Sequence, residues 1–165
     1  KEEGDAELGR IVARELRAAS SWNASLARKI RHHAPSQHAE CLAATLCELL
    51  EIATDAEATK KARTASASKQ LTKASKLLAA LAADVPEAPA VLLAALERAA
   101  NKHPPLAEIF ERIVLSLYEL ETDALPEESI YKWAANAEAA PSRRYATQCA
   151  GLIAWLKEAD EEDDD

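Results

Sequence analysis

The chain has 165 residues, a length that suits one domain or a small array of repeats. Hydrophobic residues make up 48% of it, and the formal net charge is −8. Seven carboxylates between residues 158 and 165 carry nearly all of that charge, so the rest of the chain is close to neutral. Phosphate contacts need clustered Lys and Arg, so this composition argues against nucleic acid as a direct partner and favours a basic protein segment.

The three cysteines do not indicate a disulfide framework, because their number is odd. Cys41 and Cys47 are six residues apart, which on a helix points their side chains about 120° away from each other. Such a pair makes a poor chelate, and we expect neither a metal nor another cofactor. No apolar run is long enough to cross a membrane, so no membrane partner is expected either.

Helical periodicity runs through nearly the whole chain. The sequence predicts about eight helices, the first over residues 5–19 and the second over residues 24–33. Pro35-Ser36 is expected to break the chain and cap the third helix, which ends near Ala53. The polar stretch 55–68 is left open as a helix with a loose start, and the apolar pattern becomes regular again from Leu71.

Prolines mark the beginnings of the later helices, at Pro86 and Pro89, at Pro104-Pro105, at Pro126 and at Pro141. Helices of about 12–18 residues joined by short turns are typical of antiparallel pairs. We therefore predict an all-α fold of about eight antiparallel helices, stacked as HEAT-like pairs in one small solenoid. A compact helical bundle is the alternative, because the sequence shows no clear internal repeat.

The motifs of covalent enzymes are not found in this sequence. The three glycines are isolated and form no phosphate-binding loop, and the four histidines have no metal-ligand spacing. Paired acids such as Glu127 and Glu128 are explained by the positive end of a helix dipole. The Lys and Arg residues between positions 60 and 76 are interpreted as a solvated face, or as a docking patch for an acidic partner.

Two segments combine aromatic and acidic residues, LYELETDALPEESIYKWAANA from Leu117 and IAWLKEADEEDDD from Ile153. Trp133 lies one turn after Ile130, which predicts core packing. Trp155 is expected at the edge of the last apolar stripe, because its neighbours already face inward. An edge aromatic beside carboxylates can bind a Lys-rich segment by cation–π contact and charge. The alternative is that the acidic end only improves solubility.

These two segments resemble the aromatic and acidic boxes of a domain shared among translation initiation factors. That domain closes the epsilon subunit of initiation factor 2B, initiation factor 5 and some relatives of the factor 4G scaffold, and its known fold is a stack of HEAT-like helix pairs. The epsilon subunit is the most similar member, through LYELE followed by EESIYKW. The stretch from Glu15 to Asn23 also resembles that subunit's catalytic segment, with one residue fewer between the Glu and the Asn.

The resemblance implies guanine-nucleotide exchange on initiation factor 2, a cytoplasmic GTPase, without covalent chemistry. Glu15 is then the candidate catalytic residue, acting on the gamma subunit. The acidic boxes would dock a Lys-rich segment of the beta subunit, and other factor 2B subunits would be reached through a preceding part of the protein. The resemblance places partner binding at Tyr131, Trp133, Glu127, Glu128, Trp155, Glu158, Asp160, Glu161 and Glu162. The domain is expected over residues 1–158, followed by an acidic tail over residues 159–165.

Two other functions remain open at this stage. A non-catalytic scaffold of the initiation factor 5 type would bind the same basic segment without promoting exchange. A general helical adaptor with a solubilising tail would show no preference for Lys-rich peptides. From the residues alone, Glu15 is more simply an ion-pair partner of Arg14 or Arg17, or a solvated edge of the first helix.

Overall fold

A computed structural model describes the backbone of residues 2–54, 57–137 and 143–163, and the side chains of residues 4, 6–54, 57–137 and 143–159. This part of the chain is all-α, as predicted, and contains eleven helices and no strand. They are α1 (Glu2–Ala18), α2 (Ala24–His33), α3 (His38–Ala53), α4 (Lys60–Lys73), α5 (Ser75–Ala82), α6 (Ala88–Lys102), α7 (Pro104–Glu108), α8 (Phe110–Tyr118), α9 (Glu127–Asn136), α10 (Arg143–Gln148) and α11 (Ala150–Asp163).

Single-residue breaks explain why the structure has more helices than the eight that the sequence predicts. Ala74 separates α4 from α5, Ile109 separates α7 from α8, and Cys149 separates α10 from α11. All three residues are buried. At Cys149 the i→i−4 backbone bonds continue on both sides, from Cys149 N to Tyr145 O and from Ile153 N to Cys149 O, each at 3.0 Å. The apolar pattern therefore runs on across the break.

The prolines begin or precede helices largely where they were expected. Pro126 immediately precedes α9, and Glu127 and Glu128 occupy its first turn. The prediction for Ser36 was wrong, because α3 begins at His38 with Gln37 at the cap position and without a side-chain cap bond. Here the N–H of Gln37 is bonded to the carbonyl of Ala34, which extends the turn. Pro141 lies outside the described residues.

The helices pack in two rows of successive contacts. The first row runs α1, α3, α6, α9 and α11, each helix touching the next. The second row includes the contacts of α2 with α5, of α4 with α8, and of α8 with α10. Contacts such as those of α1 with α2 and of α3 with α4 and α5 join the two rows. The arrangement places α3 at the centre of the first half of the chain and α6 between α3 and α9.

The core follows the apolar stripes of these helices. Leucines supply most of the large, fully buried side chains, and close-packed alanines fill the spaces between them, at Ala67, Ala74, Ala95, Ala99 and Ala100. The single Phe of the chain, Phe110, is completely buried. Among the described residues, no helix is both long enough and apolar enough to cross a membrane.

Candidate functional site

The two aromatic residues of α9 face different parts of the molecule. Residues two apart on a helix point about 200° away from each other, so Tyr131 and Trp133 cannot share a face. The Trp133 ring stacks on Phe110, with ring centroids 5.7 Å apart, and Phe110 in turn stacks on Tyr145 at 4.4 Å. Trp133 Nε1 donates a hydrogen bond of 2.8 Å to Glu97 Oε1 on α6. The core packing predicted for Trp133 is therefore confirmed.

A groove between α6 and α9 opens beside Trp133. It has a volume of about 570 Å³, and its lining is mainly apolar, with Pro89, Ala90, Ala94, Pro126 and Trp133 among the residues. Three carboxylates, Glu87, Glu97 and Glu128, also line it. The sequence analysis did not find Glu87 and Glu97, since they lie more than 30 residues before Trp133 and carry no local signal.

Tyr131 links the two aromatic and acidic segments. Lys157 of α11 places its Nζ atom 5.7 Å from the centroid of the Tyr131 ring, within cation–π range. In the turn before α9, Tyr118 Oη donates a hydrogen bond of 3.3 Å to Glu127 Oε1. Both Tyr131 and Glu127 are thus held in intramolecular contacts and are only half-buried.

Trp155 is the most exposed large apolar side chain among the described residues, at 51%. Its neighbours on α11, Leu152 and Leu156, are buried against the core, and Ile153 is half-buried. The predicted edge position of Trp155 is confirmed. Glu158 is exposed one turn further on, and helical spacing puts it on the same face as Trp155. An indole and a carboxylate on one face can take a cation by ring and charge together.

The remaining acidic candidates fall in two groups. Glu128 is exposed in the first turn of α9, beside the groove. The backbone of Asp160, Glu161 and Glu162 continues α11, which extends to Asp163. The side chains of these three residues lie outside the described part of the structure.

Glu15 lies on α1, at the opposite end of the first row of helices from α9 and α11. Its side chain is 21% exposed, and its Oε1 atom is 3.8 Å from His33 Nε2. The expected pairing with Arg14 or Arg17 was wrong, because the ion-pair geometry is with His33 of α2, and both arginines are exposed. The structure thus separates the candidate catalytic residue from the partner-binding candidates by α3 and α6.

The cysteines are placed for packing. Burial raises the pKa of the Cys41 and Cys47 thiols, and burial together with Glu111 raises the pKa of Cys149 to about 12. A reactive cysteine needs a lowered pKa, so these thiols have no nucleophilic character. Within the described residues, no group of three or more His, Cys, Asp or Glu side chains could hold a metal ion.

Fold and site together define an all-α domain with an exposed, acid-flanked tryptophan and an acid-lined apolar groove near its C-terminal end. The family model W2, described as eIF4-gamma/eIF5/eIF2-epsilon, matches residues 89–165. This range begins at the start of α6 and includes both aromatic and acidic segments. The match supports the W2 family, whose members use this domain for protein interaction, and it does not single out one of the three factors. No curated protein and no solved structure gives a significant match.

Proposed function

We propose that the chain is a HEAT-like domain that promotes release of GDP from initiation factor 2 in the cytoplasm. In this proposal it docks a Lys-rich segment of that factor's beta subunit near its C-terminal end. The two rows of helix contacts support a solenoid of helix pairs. The observation that carries the docking is the 51% exposure of Trp155 on the acidic part of α11, within the matched family region.

Docking on this surface follows from charge and ring chemistry. A Lys ammonium over the Trp155 indole contributes about 0.5–2 kcal/mol by cation–π attraction. Glu158 and the acidic end of α11 supply attraction that steers a basic segment towards the ring. The carboxylates Glu87, Glu97 and Glu128 give the same segment a second contact in the α6–α9 groove. A segment held at both places raises the effective concentration of the GTPase around the domain.

Exchange would take place on a different surface, around Glu15. The resemblance of the Glu15–Asn23 stretch to the catalytic segment of the factor 2B epsilon subunit supports this part of the proposal. Glu15 is partly exposed, and a gamma subunit held there is not obstructed by the docked beta-subunit segment. Acceleration of GDP release requires that this surface bind the open or nucleotide-free GTPase more tightly than the GDP-bound form.

The docking step is tested by measuring the affinity of a Lys-rich beta-subunit peptide for the wild-type chain and for Trp155→Ala. We expect roughly 2- to 30-fold weaker binding, equivalent to the cation–π contribution, and a loss of affinity as salt is added. Ile52→Ala is the matched control, because it removes the other exposed large apolar side chain. Equal binding by wild type and Trp155→Ala would remove Trp155 from the interface.

The exchange step is tested by the rate of labelled GDP release from purified initiation factor 2, with and without the chain. We expect faster release with wild type and its loss with Glu15→Ala or Glu15→Gln. His33→Ala is the control, because it removes the intramolecular partner of Glu15 and leaves the carboxylate in place. Peptide binding without faster GDP release would identify a non-catalytic scaffold of the initiation factor 5 type. Release that survives both Glu15 variants would place the exchange surface elsewhere.

A further inference from the structure

Two stretches of the sequence contain no acidic residue, 16–39 and 58–83. The first forms α2, and the second forms α4 and α5. The fold brings them together, since α2 contacts α5 and the Arg31 guanidinium donates to the carbonyl of Ala80. Lys73 Nζ also lies 4.2 Å from the centroid of the Trp22 ring, just before α2. Residues distant in sequence thus form one layer that is rich in cations.

The lysines of α4 and α5 lie on the exposed side of this layer. Lys61, Lys69 and Lys73 fall within about 120° of arc on α4, and Lys76 continues the same direction on α5. All four are exposed, and Ala62, Ala65 and Thr72 between them are exposed as well. We call these four lysines the basic face. The adjoining α2 adds the exposed Arg28 and Lys29.

The charge of the basic face is not neutralised within the described part of the molecule, where none of its four lysines forms an ion pair. The two nearby acids that do form ion pairs are occupied by other cations, Asp84 by Arg31 at 3.4 Å and Glu108 by Arg63 at 2.6 Å. Four unneutralised ammonium groups on a smooth helical surface set up a positive potential that attracts a polyanion.

The chemistry of the face favours a phosphate backbone over an acidic protein. Protein interfaces are depleted in Lys and depend on large apolar or aromatic anchors at their centre. The large apolar side chains exposed among the described residues are Ile52 and Trp155, and neither lies on α2, α4 or α5. Trp22 is only 8% exposed, so it offers no platform for base stacking. Flexible lysines without an anchor are suited to phosphates and read no base sequence.

From this arrangement we propose that the basic face binds the phosphate backbone of RNA without sequence preference. The net charge of −8 argued against nucleic acid in the sequence analysis, because it sums the acidic end and the basic layer. The fold separates the basic layer as a surface of its own. This inference does not depend on the exchange activity, and the basic face shares no residue with the proposed docking or exchange surfaces.

The experiment measures binding of a labelled, unstructured RNA oligonucleotide to the whole chain over a range of salt concentrations. With four to six phosphate contacts, the slope of log Kobs against log salt is expected to be about −3 to −4, from about −0.7 per phosphate. Lys69→Glu/Lys76→Glu should weaken binding to all RNA sequences alike and reduce the slope by about 1 for each lysine lost. Lys69→Gln/Lys76→Gln, which only removes charge, should do so to a lesser extent.

Arg10→Glu/Arg112→Glu is the matched control, because it makes the same change in net charge at two exposed residues on α1 and α8. It should retain nearly all RNA binding, and circular dichroism should show that every variant is folded. The proposal is overturned if wild type does not bind RNA, or if the control and the Lys69/Lys76 variants weaken equally. It is also overturned if an acidic peptide binds the basic face and RNA does not.

Discussion

Cys149 shows how a single residue can carry a pH dependence that its sequence neighbours do not reveal. The side chain is completely buried between α10 and α11, next to Tyr145 and Leu152 in the core. Burial, assisted by the nearby Glu111, raises the pKa of its thiol from 9.0 to about 12. The folded protein therefore keeps the proton at a pH where the unfolded chain has lost it.

This difference in proton binding makes the folded state less stable as the pH rises from 9 towards 12. Between pH 8 and pH 10, Cys149 should lower the free energy of unfolding by about 1.4 kcal/mol. Urea unfolding at both pH values measures the effect. Cys149→Ala does not titrate there, so it should lose less stability than wild type over the same interval. An identical pH dependence in the two proteins would contradict the assignment to Cys149.

At the residue scale, the sequence predicted those site features that depend on local spacing. Trp155 was placed at the edge of a stripe because Leu152, Ile153 and Leu156 already define its inner side. Trp133 was placed in the core because Ile130 precedes it by one turn. The bond from Trp133 to Glu97 and the pairing of Glu15 with His33 were not predicted. Both depend on how helices pack, and no local pattern records that.

Among the helices, α2 is the one whose beginning is most clearly encoded. Asn23 has an extended backbone, and its Oδ1 accepts hydrogen bonds from the N–H groups of Ser25 and Leu26 at 3.0 and 3.3 Å. These bonds satisfy two of the four N–H groups that a helix leaves unpaired at its start. The same Asn belongs to the stretch that resembles a catalytic segment, and capping is sufficient to explain its presence.

Asn23→Ala should therefore lower the free energy of unfolding by about 1 kcal/mol, as loss of an N-cap usually does. Chemical denaturation measures this change. Asn23→Asp keeps an accepting oxygen at the cap and should remain within a few tenths of wild type. If Asn23→Ala were as stable as wild type, the cap bonds would contribute nothing to folding.

At the scale of whole elements, the prediction of α2 over residues 24–33 was confirmed to the residue, and α9 begins directly after Pro126, as expected. The sequence analysis missed the breaks at Ala74, Ile109 and Cys149. Each break leaves the apolar pattern intact because the buried face continues through it, so periodicity cannot detect it. For the polar stretch 55–68, the structure shows a helix that begins after the Thr59 cap.

At the scale of the whole molecule, a buried arginine connects the two halves of the chain. Arg63 on α4 is 8% exposed in its side chain, and its Nη2 atom is 2.6 Å from Glu108 Oε2 on α7. Its Nη1 also donates a hydrogen bond of 2.7 Å to the carbonyl of Ala58. Glu108 belongs to the part matched by the family model, and Arg63 lies before it. The pair helps to fix α4 against α7 and α8.

Arg63→Ala should destabilise the protein by about 1–3 kcal/mol, because it removes a charged hydrogen bond and buried side-chain packing. Glu108→Ala should cost less than about 1 kcal/mol, since the side chain of Glu108 is 60% exposed and its partner bonds the Ala58 carbonyl as well. Guanidinium unfolding curves of the two variants measure the difference. A larger cost for Glu108→Ala than for Arg63→Ala would contradict this account.

The all-α class was fixed by helical periodicity over nearly the whole chain, and the structure confirms it. The basic layer of α2, α4 and α5 was not predicted as one surface. Its cations come from stretches separated by the whole of α3, and composition adds them to the carboxylates of the C-terminal end. Sequence arguments about charge therefore work for contiguous runs, such as the acidic end, and fail for surfaces assembled by packing.

The three tryptophans occupy three different environments, and this has an optical consequence. Trp22 is buried beneath Lys73, Trp133 is stacked on Phe110, and Trp155 is in contact with solvent. Indole fluorescence shifts to the red and becomes accessible to dissolved quenchers when water surrounds the ring. Trp155 should thus dominate the red, quenchable part of the emission, and a molecule that covers α11 would shift that part to the blue without any added label.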